Sequence, residues 1–279
     1  MSRQAVRLGT EPSPVTRWVI LGIVGLLFAV PIIAMIEFSF SVGPAGGYTV
    51  QHWVDLFDPA NARANRQLFQ AIGNSFLLAA VTVAIVLVVL LPTMILVHLQ
   101  FPRLRRVLEF ICIVPITVPA IVLVVGLAPV YGVVVQLFGG AIWTLALAYG
   151  ITVLPYAYRA IQSNLDAIPA VTLSEAARSL GANPLQVLWG VLLPNLRRGV
   201  LAACFISVAV VLGEFTIASL LNRRNLQTAL VQAGQSDQWI AVILSLLSLA
   251  FALVLLLLIG RLGTAPFSTA RSSRKRSSK

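Results

Sequence analysis

Long runs without charge alternate with short polar segments along this chain. Trp18–Ile36, Ala71–Val97, Phe110–Tyr158 and Gln238–Gly260 carry no charged residue, and Gly199–Leu221 carries one, Glu214. A membrane-crossing helix needs about 20 mostly apolar residues. Each run therefore predicts one crossing, except 110–158, whose 49 residues suffice for two. The expectation is an all-α integral membrane protein with six transmembrane helices. Inside the third span, Pro115 and Pro119 remove backbone donors and predict a kink. Gly139-Gly140 predicts a tight external turn between spans three and four. After the first span, residues 43–70 hold GPAGG and then YTVQHWVDLF, whose Tyr48, Trp53 and Phe57 suit a helix on the outer membrane interface. Residues 222–238 read as a short external loop.

Composition agrees with lipid as the solvent. The chain is 58% hydrophobic and 10% charged, whereas soluble domains carry about 25% charged residues. Its net charge of +11 would suit nucleic acid, but the placement of the cations argues for topology instead. Sixteen of the 20 Lys and Arg residues fall before the first span, between spans two and three, between four and five, or after the sixth; Arg63, Arg66, Arg223 and Arg224 fall on the other side. Such a bias places the cation-rich side in the cytoplasm, with both termini and the 159–198 segment. A polar, flexible N-terminus (1–17), a membrane domain (18–262) and a disordered basic tail (263–279) follow. The first apolar run exceeds a signal-peptide core and lacks an A-x-A site, so it reads as a retained anchor. Cys112 and Cys204 both fall in spans, which argues against a disulfide or a zinc site. No cofactor and no metal site is expected.

The segment 159–198 is the longest cytoplasmic one. Thr172-Leu173-Ser174-Glu175 fits a capping box and predicts a helix from about Leu173. Leu173, Ala176, Ala177 and Leu180 share one face. Gly181 stands where a helix end favours a left-handed residue. Asn183-Pro184 restarts a helix, and Pro194 breaks or kinks it. A short capped helix, a sharp turn and a second helix result. Taken alone, this pattern also fits an interfacial helix resting on lipid or on its own bundle.

The same residues carry a family resemblance. Glu175-Ala176-Ala177, Gly181 three residues on, and Val191-Leu192-Leu193-Pro194 nine residues after that resemble the E-A-A, G, I-x-L-P signature of membrane subunits of binding-protein-dependent ABC importers. Val191 for Ile is the one departure. Asn74-Ser75, opening the second span after the YTVQHWVDLF segment, is also similar to these permeases. The resemblance implies a type I ABC importer permease fold in a bacterial cytoplasmic (inner) membrane. It implies that the loop (about 162–197) is a coupling helix, with Leu173, Glu175, Ala176, Ala177, Leu180, Gly181, Val191, Leu193 and Pro194 joining it to a cytoplasmic ABC ATPase dimer. A second permease subunit and an extracytoplasmic substrate-binding protein are the other implied partners.

No G-x-x-x-x-G-K-[ST] occurs, and the first lysine is Lys275. ATP hydrolysis is therefore expected on a separate subunit. A secondary transporter, the rival class, would show ionisable residues or broken helices at mid-membrane, and Glu214 is the one clear intramembrane charge. An intramembrane enzyme would need a nucleophile elbow or a metal cluster, and neither motif is present. Glu214, in the outer half of span five, is the candidate pathway residue. EAARSLGA is similar to the permeases for polyamines, iron, thiamine, phosphonates or oxyanions, and LGEFTIASLL resembles the polyamine group most, so spermidine or putrescine is the expected solute, with iron, thiamine, phosphonate or an oxyanion as alternatives.

Overall fold

The computed structural model describes residues 13–43, 46–58 and 62–264. Most of the expected N-terminal arm and basic tail, residues 1–12 and 265–279, lie outside the described residues. No strand occurs among the described residues. The helices are α1 (Pro14–Phe40), α2 (Gln51–Phe57), α3 (Ala62–Ile85), α4 (Leu91–Gln100), α5 (Arg105–Thr117), α6 (Ala120–Phe138), α7 (Leu145–Leu165), α8 (Ala170–Ser179), α9 (Pro184–Gln186), α10 (Leu193–Gly213), α11 (Thr216–Leu220), α12 (Leu226–Ser236) and α13 (Gln238–Thr264). π-helical segments Val86–Leu90 and Val187–Leu192 join α3 to α4 and α9 to α10.

Four described helical stretches are long and apolar enough to cross a membrane: Val15–Phe40, Arg66–Gln100, Ala120–Phe138 and Pro184–Gly213. The run from 238 appears as a shorter apolar helix, Gln238–Val254. The helix expected as span four, α7, is not among the four, and burial explains its composition. Its Tyr149, Gly150, Val153, Ala157, Tyr158 and Ile161 are buried in protein, so α7 has no need of an apolar surface all round.

Two compact units organise the chain. Among the described residues, the first comprises those from 13 to 62 together with 233–248. In it α1, started by Ser13 and Pro14, returns through a Ser41–Tyr48 bridge to α2. Phe40 stacks on Trp53, while Trp239 stacks on both Phe38 and His52. The segment YTVQHWVDLF is thus helical from Gln51, as its aromatic pattern predicted.

The second unit, described residues 63–232 and 249–264, holds the main core around α7 and α10. Gly199 allows their contact. A Cβ there would lie 2.7 Å from Asn164 Cβ and 2.9 Å from the Ala160 carbonyl oxygen, so only glycine fits. Three expectations are corrected in this unit. The 110–158 run does not kink at Pro119 but breaks: Val118 is extended (ψ 124°) and Pro119 becomes the N-cap of α6. A residue before proline is pushed out of the helical region, and Pro119 cannot donate backward. The fifth apolar helix begins at Pro184 rather than near Gly199 and ends at Gly213 rather than Leu221. Residues 226–236, read as loop, form α12. The turn at Gly139-Gly140 is present, with Gly139 at φ +78°.

Candidate functional site

The 166–194 segment is anchored at its start. Asp166, just after α7, takes a 2.6 Å ion pair from Arg105 Nη2 and a 2.9 Å bond from Gln162 Nε2. α8 then starts at Ala170, three residues before the expected point, because Pro169 takes the N-cap position. The Thr172–Glu175 capping box does not form: both residues lie inside the helix, and no side chain caps it.

The end of α8 follows expectation. Leu180 is the C-cap, and Gly181 sits at φ +86°. Gly181 N–H donates to Arg178 O at 2.9 Å, and Ala182 N–H donates to Ala177 O at 3.1 Å. This is a Schellman closure, which needs a left-handed residue at that point. Asn183 and Gln186 then form a reciprocal capping box at 2.8 and 2.9 Å, with Pro184 at the first helical position.

The predicted face of α8 divides in two. Leu173 and Ala177 are half-buried and Ser174 is buried, on the side packed against the π-helical segment 187–192. Glu175, Ala176, Leu180 and Gly181 are exposed, Leu180 to 89%. Leu185 and Trp189 continue the exposed apolar surface at 67% and 65%. Val191, Leu193 and Pro194 are half-buried. Pro194 does not break the helix, which runs on to Gly213. The π segment immediately before it is the accommodation: its wider turn makes room where a proline ring would meet the carbonyl four residues back. The other π segment, Val86–Leu90, stands in the same relation to Pro92.

The place expected for Glu214 is corrected. It lies beyond the helix, as the extended C-cap of α10 (ψ 118°). Its Oε1 accepts a 2.8 Å bond from Ile217 N–H and so closes the first turn of α11. It makes no ion pair with Arg223 or Arg224. Arg223 instead donates to Gly140 O at 2.8 Å, and its guanidinium carbon lies 5.8 Å from the Tyr131 ring centre.

A polar cluster that the sequence reading missed surrounds this point. Asn225 is 1% exposed. Its Nδ2 donates to Glu214 O at 2.5 Å and to Tyr149 Oη at 3.1 Å. Its Oδ1 accepts from Thr228 N–H at 2.9 Å, capping α12. Ser75 Oγ accepts from Leu226 N–H at 2.7 Å, and Asn74 Nδ2 donates to Arg224 O at 2.9 Å. Asn74-Ser75 thus stands well inside α3 rather than at the opening of a span, and holds the 224–226 turn. The Asn225-x-x-Thr228 spacing was the available signal, since it is an N-cap pattern. Among the described residues no cluster of His, Cys, Asp and Glu is arranged to hold a metal.

Comparison with known proteins agrees with this architecture. A "Probable ABC transporter permease protein y4fN" of Sinorhizobium fredii is 27% identical over 284 aligned positions, covering 95% of this chain and 49% of that protein. A "Spermidine/putrescine transport system permease protein PotB" of Haemophilus influenzae is 24% identical over 193 positions, covering 62% of this chain and 63% of that one. "Sulfate permease 2, chloroplastic" of Chlamydomonas reinhardtii is 40% identical over 81 positions, covering 28% of this chain and 21% of that one. The chain spans about half the length of the Sinorhizobium relative and under two thirds of the Haemophilus one. Residues 91–265, which include the α8 loop and Asn225, match the family model of the binding-protein-dependent transport system inner membrane component. The chain belongs to that family of ABC transporter permeases.

Proposed function

We propose that this chain is the membrane permease subunit of an ABC importer in a bacterial inner membrane, with α8 docking on a separate cytoplasmic ATPase. The observation that carries this reading is the two-sided α8. Its buried side rides on the helix 184–213, while Glu175, Ala176 and Leu180 stand exposed ahead of the Gly181 turn and the Asn183 cap. An exposed apolar side chain beside small residues lets a partner approach closely, and the Gly181 closure makes α8 a rigid unit. A second permease subunit would complete the pathway, and a substrate-binding protein would deliver the solute outside. Both termini and α8 are cytoplasmic in this reading. Co-purification of an ABC ATPase with this chain from its native membrane tests it. Leu180→Asp is expected to abolish co-purification while membrane yield stays unchanged, because Leu180 touches little of its own chain. Full retention of the ATPase by Leu180→Asp at normal yield overturns the docking face.

For the solute, a small polyamine is the proposed class. Glu214 is half-buried, with one oxygen committed to Ile217 and the other without a hydrogen bond, so a carboxylate oxygen remains for an ammonium group. The likeness to the spermidine/putrescine permease supports the same class. One observation favours an anion instead: Arg223 Nε is buried without a partner, and one relative is named a sulfate permease. Glu214→Gln separates the two, since the amide oxygen can still accept from Ile217. Loss of putrescine uptake at unchanged expression is expected, whereas undiminished uptake removes the cation reading.

A further inference from the structure

We propose that α11 is a movable plug in the translocation pathway, and that Asn225 is the positioning residue that holds it shut. The proposal rests on the permease reading, but its test needs neither a transported solute nor an ATPase.

α11 is five residues long and packs against α6 and α7. Ile217 and Ala218, its inward side chains, are both fully buried. The backbone leaves the helical form on either side of it. Glu214 is extended, and Asn222 holds a left-handed φ of +52°, the one positive φ at a non-glycine residue among those described. Asparagine visits that region readily, and here it closes α11: Asn222 N–H donates to Ser219 O at 3.1 Å and Arg223 N–H to Ala218 O at 2.7 Å. A short apolar insert between two such points has no helical continuity to hold it in place.

Hydrogen bonds at its margins hold it instead. Glu214 caps its first turn, Asn225 grips the Glu214 carbonyl and Tyr149, and Arg223 reaches Gly140. Tyr131 Oη and Thr144 Oγ1 pair at 3.0 Å beside them. Here Glu214, Arg223, Asn225, Tyr149, Tyr131 and Thr144 gather around one apolar plug. Displacement of α11 exposes that polar ring, and the Asn225 side-chain donations are the bonds that must break first.

Asn225 has two separable tasks. Through Oδ1 it caps α12; through Nδ2 it tethers Glu214 and Tyr149. Serine can take over the cap, but its side chain is too short for the tethers. The experiment uses the full chain in proteoliposomes, with Cys112 and Cys204 replaced by alanine and Ala218→Cys as the probe. A small water-soluble methanethiosulfonate is added on both sides. Labelling is expected to be slow in the parent, about ten-fold faster with Asn225→Ser and raised less by Tyr149→Phe, which loses one tether. Val211→Cys, a probe in the buried face of α10, is expected to keep its parent rate throughout. An unchanged rate with Asn225→Ser overturns the proposal, because capping alone then accounts for Asn225. An equal rise at Val211→Cys also overturns it, since the change is then general loosening. If Asn225→Ser does not insert, Tyr149→Phe decides, and a parental rate sinks the plug. Loss of the ATPase docking result leaves this measurement unaffected.

Discussion

Two glycines show how differently a single residue can be fixed. At Gly181 a Cβ would meet nothing within 4 Å, yet φ is +86°. The demand there is on the backbone alone. Gly181→Val forces a β-branched residue into a left-handed conformation, at about 1–3 kcal/mol; Gly181→Asn costs less, because asparagine visits that region. Solute uptake is expected to fall in the order Gly, Asn, Val at equal membrane yield. At Gly199 the backbone is ordinary helix and the demand is on space. Gly199→Ala drives a methyl into Asn164 and the Ala160 carbonyl, with an overpacking cost of about 1–3 kcal/mol. A lower thermal midpoint in detergent is expected, with little recovery on adding Asn164→Ala, since alanine keeps the Cβ at 2.7 Å and the backbone oxygen remains in the way. The first glycine was legible in the sequence, because helix-end chemistry is local. The second was not, because nothing near Gly199 in the chain names Ala160 and Asn164 as its neighbours. Glu214 lies between these cases: its charge drew attention, but its place as a helix terminator depends on bonds from Asn225, eleven residues on.

Proline acts on whole elements here in two ways. At 118–119 it ends one helix and starts another, whereas at 92 and 194 the helix continues through a preceding π segment. A π segment accommodates an extra residue within a helix. Deleting Gly190, which is exposed and makes no contact that a Cβ would disturb, should therefore leave α9 and α10 in register but place Pro194 in a regular helix. That costs about 3 kcal/mol. Adding Pro194→Ala removes the conflict. The pair is expected to be strongly non-additive: the deletion alone lowers the thermal midpoint, and the combined variant recovers most of it. Hydropathy runs revealed the helices but not these choices, because a proline's outcome depends on the packing of the turn before it. Likewise α8 began early because Pro169 occupied the cap ahead of Thr172, and capping patterns compete only when both lie within one turn.

For the molecule as a whole, the distribution of cations predicts an orientation that can be read directly. A single cysteine at Ser179, exposed at the end of α8, is expected to resist an impermeant thiol reagent in intact cells. One at Gln51, exposed at the start of α2, is expected to label at once. The reverse pattern would invert the protein. Fold class was legible at this scale because lipid imposes a simple rule on apolar length. The count of crossings was less so, and α7 shows why: a helix enclosed by protein escapes the rule. That enclosure has a consequence for biosynthesis. Insertion machinery sorts each segment by its apparent preference for lipid, and α7, with Arg159 and three tyrosines along it, offers little. The helix onto which it packs most closely, α10, is synthesised later. α7 must therefore wait at the edge of the bilayer for its neighbour. With Val153→Cys as the probe in a chain whose Cys112 and Cys204 are replaced by alanine, nascent chains halted after α8 are expected to react with a water-soluble thiol reagent, and chains extended through Gly213 to be protected, because Val153 is then buried.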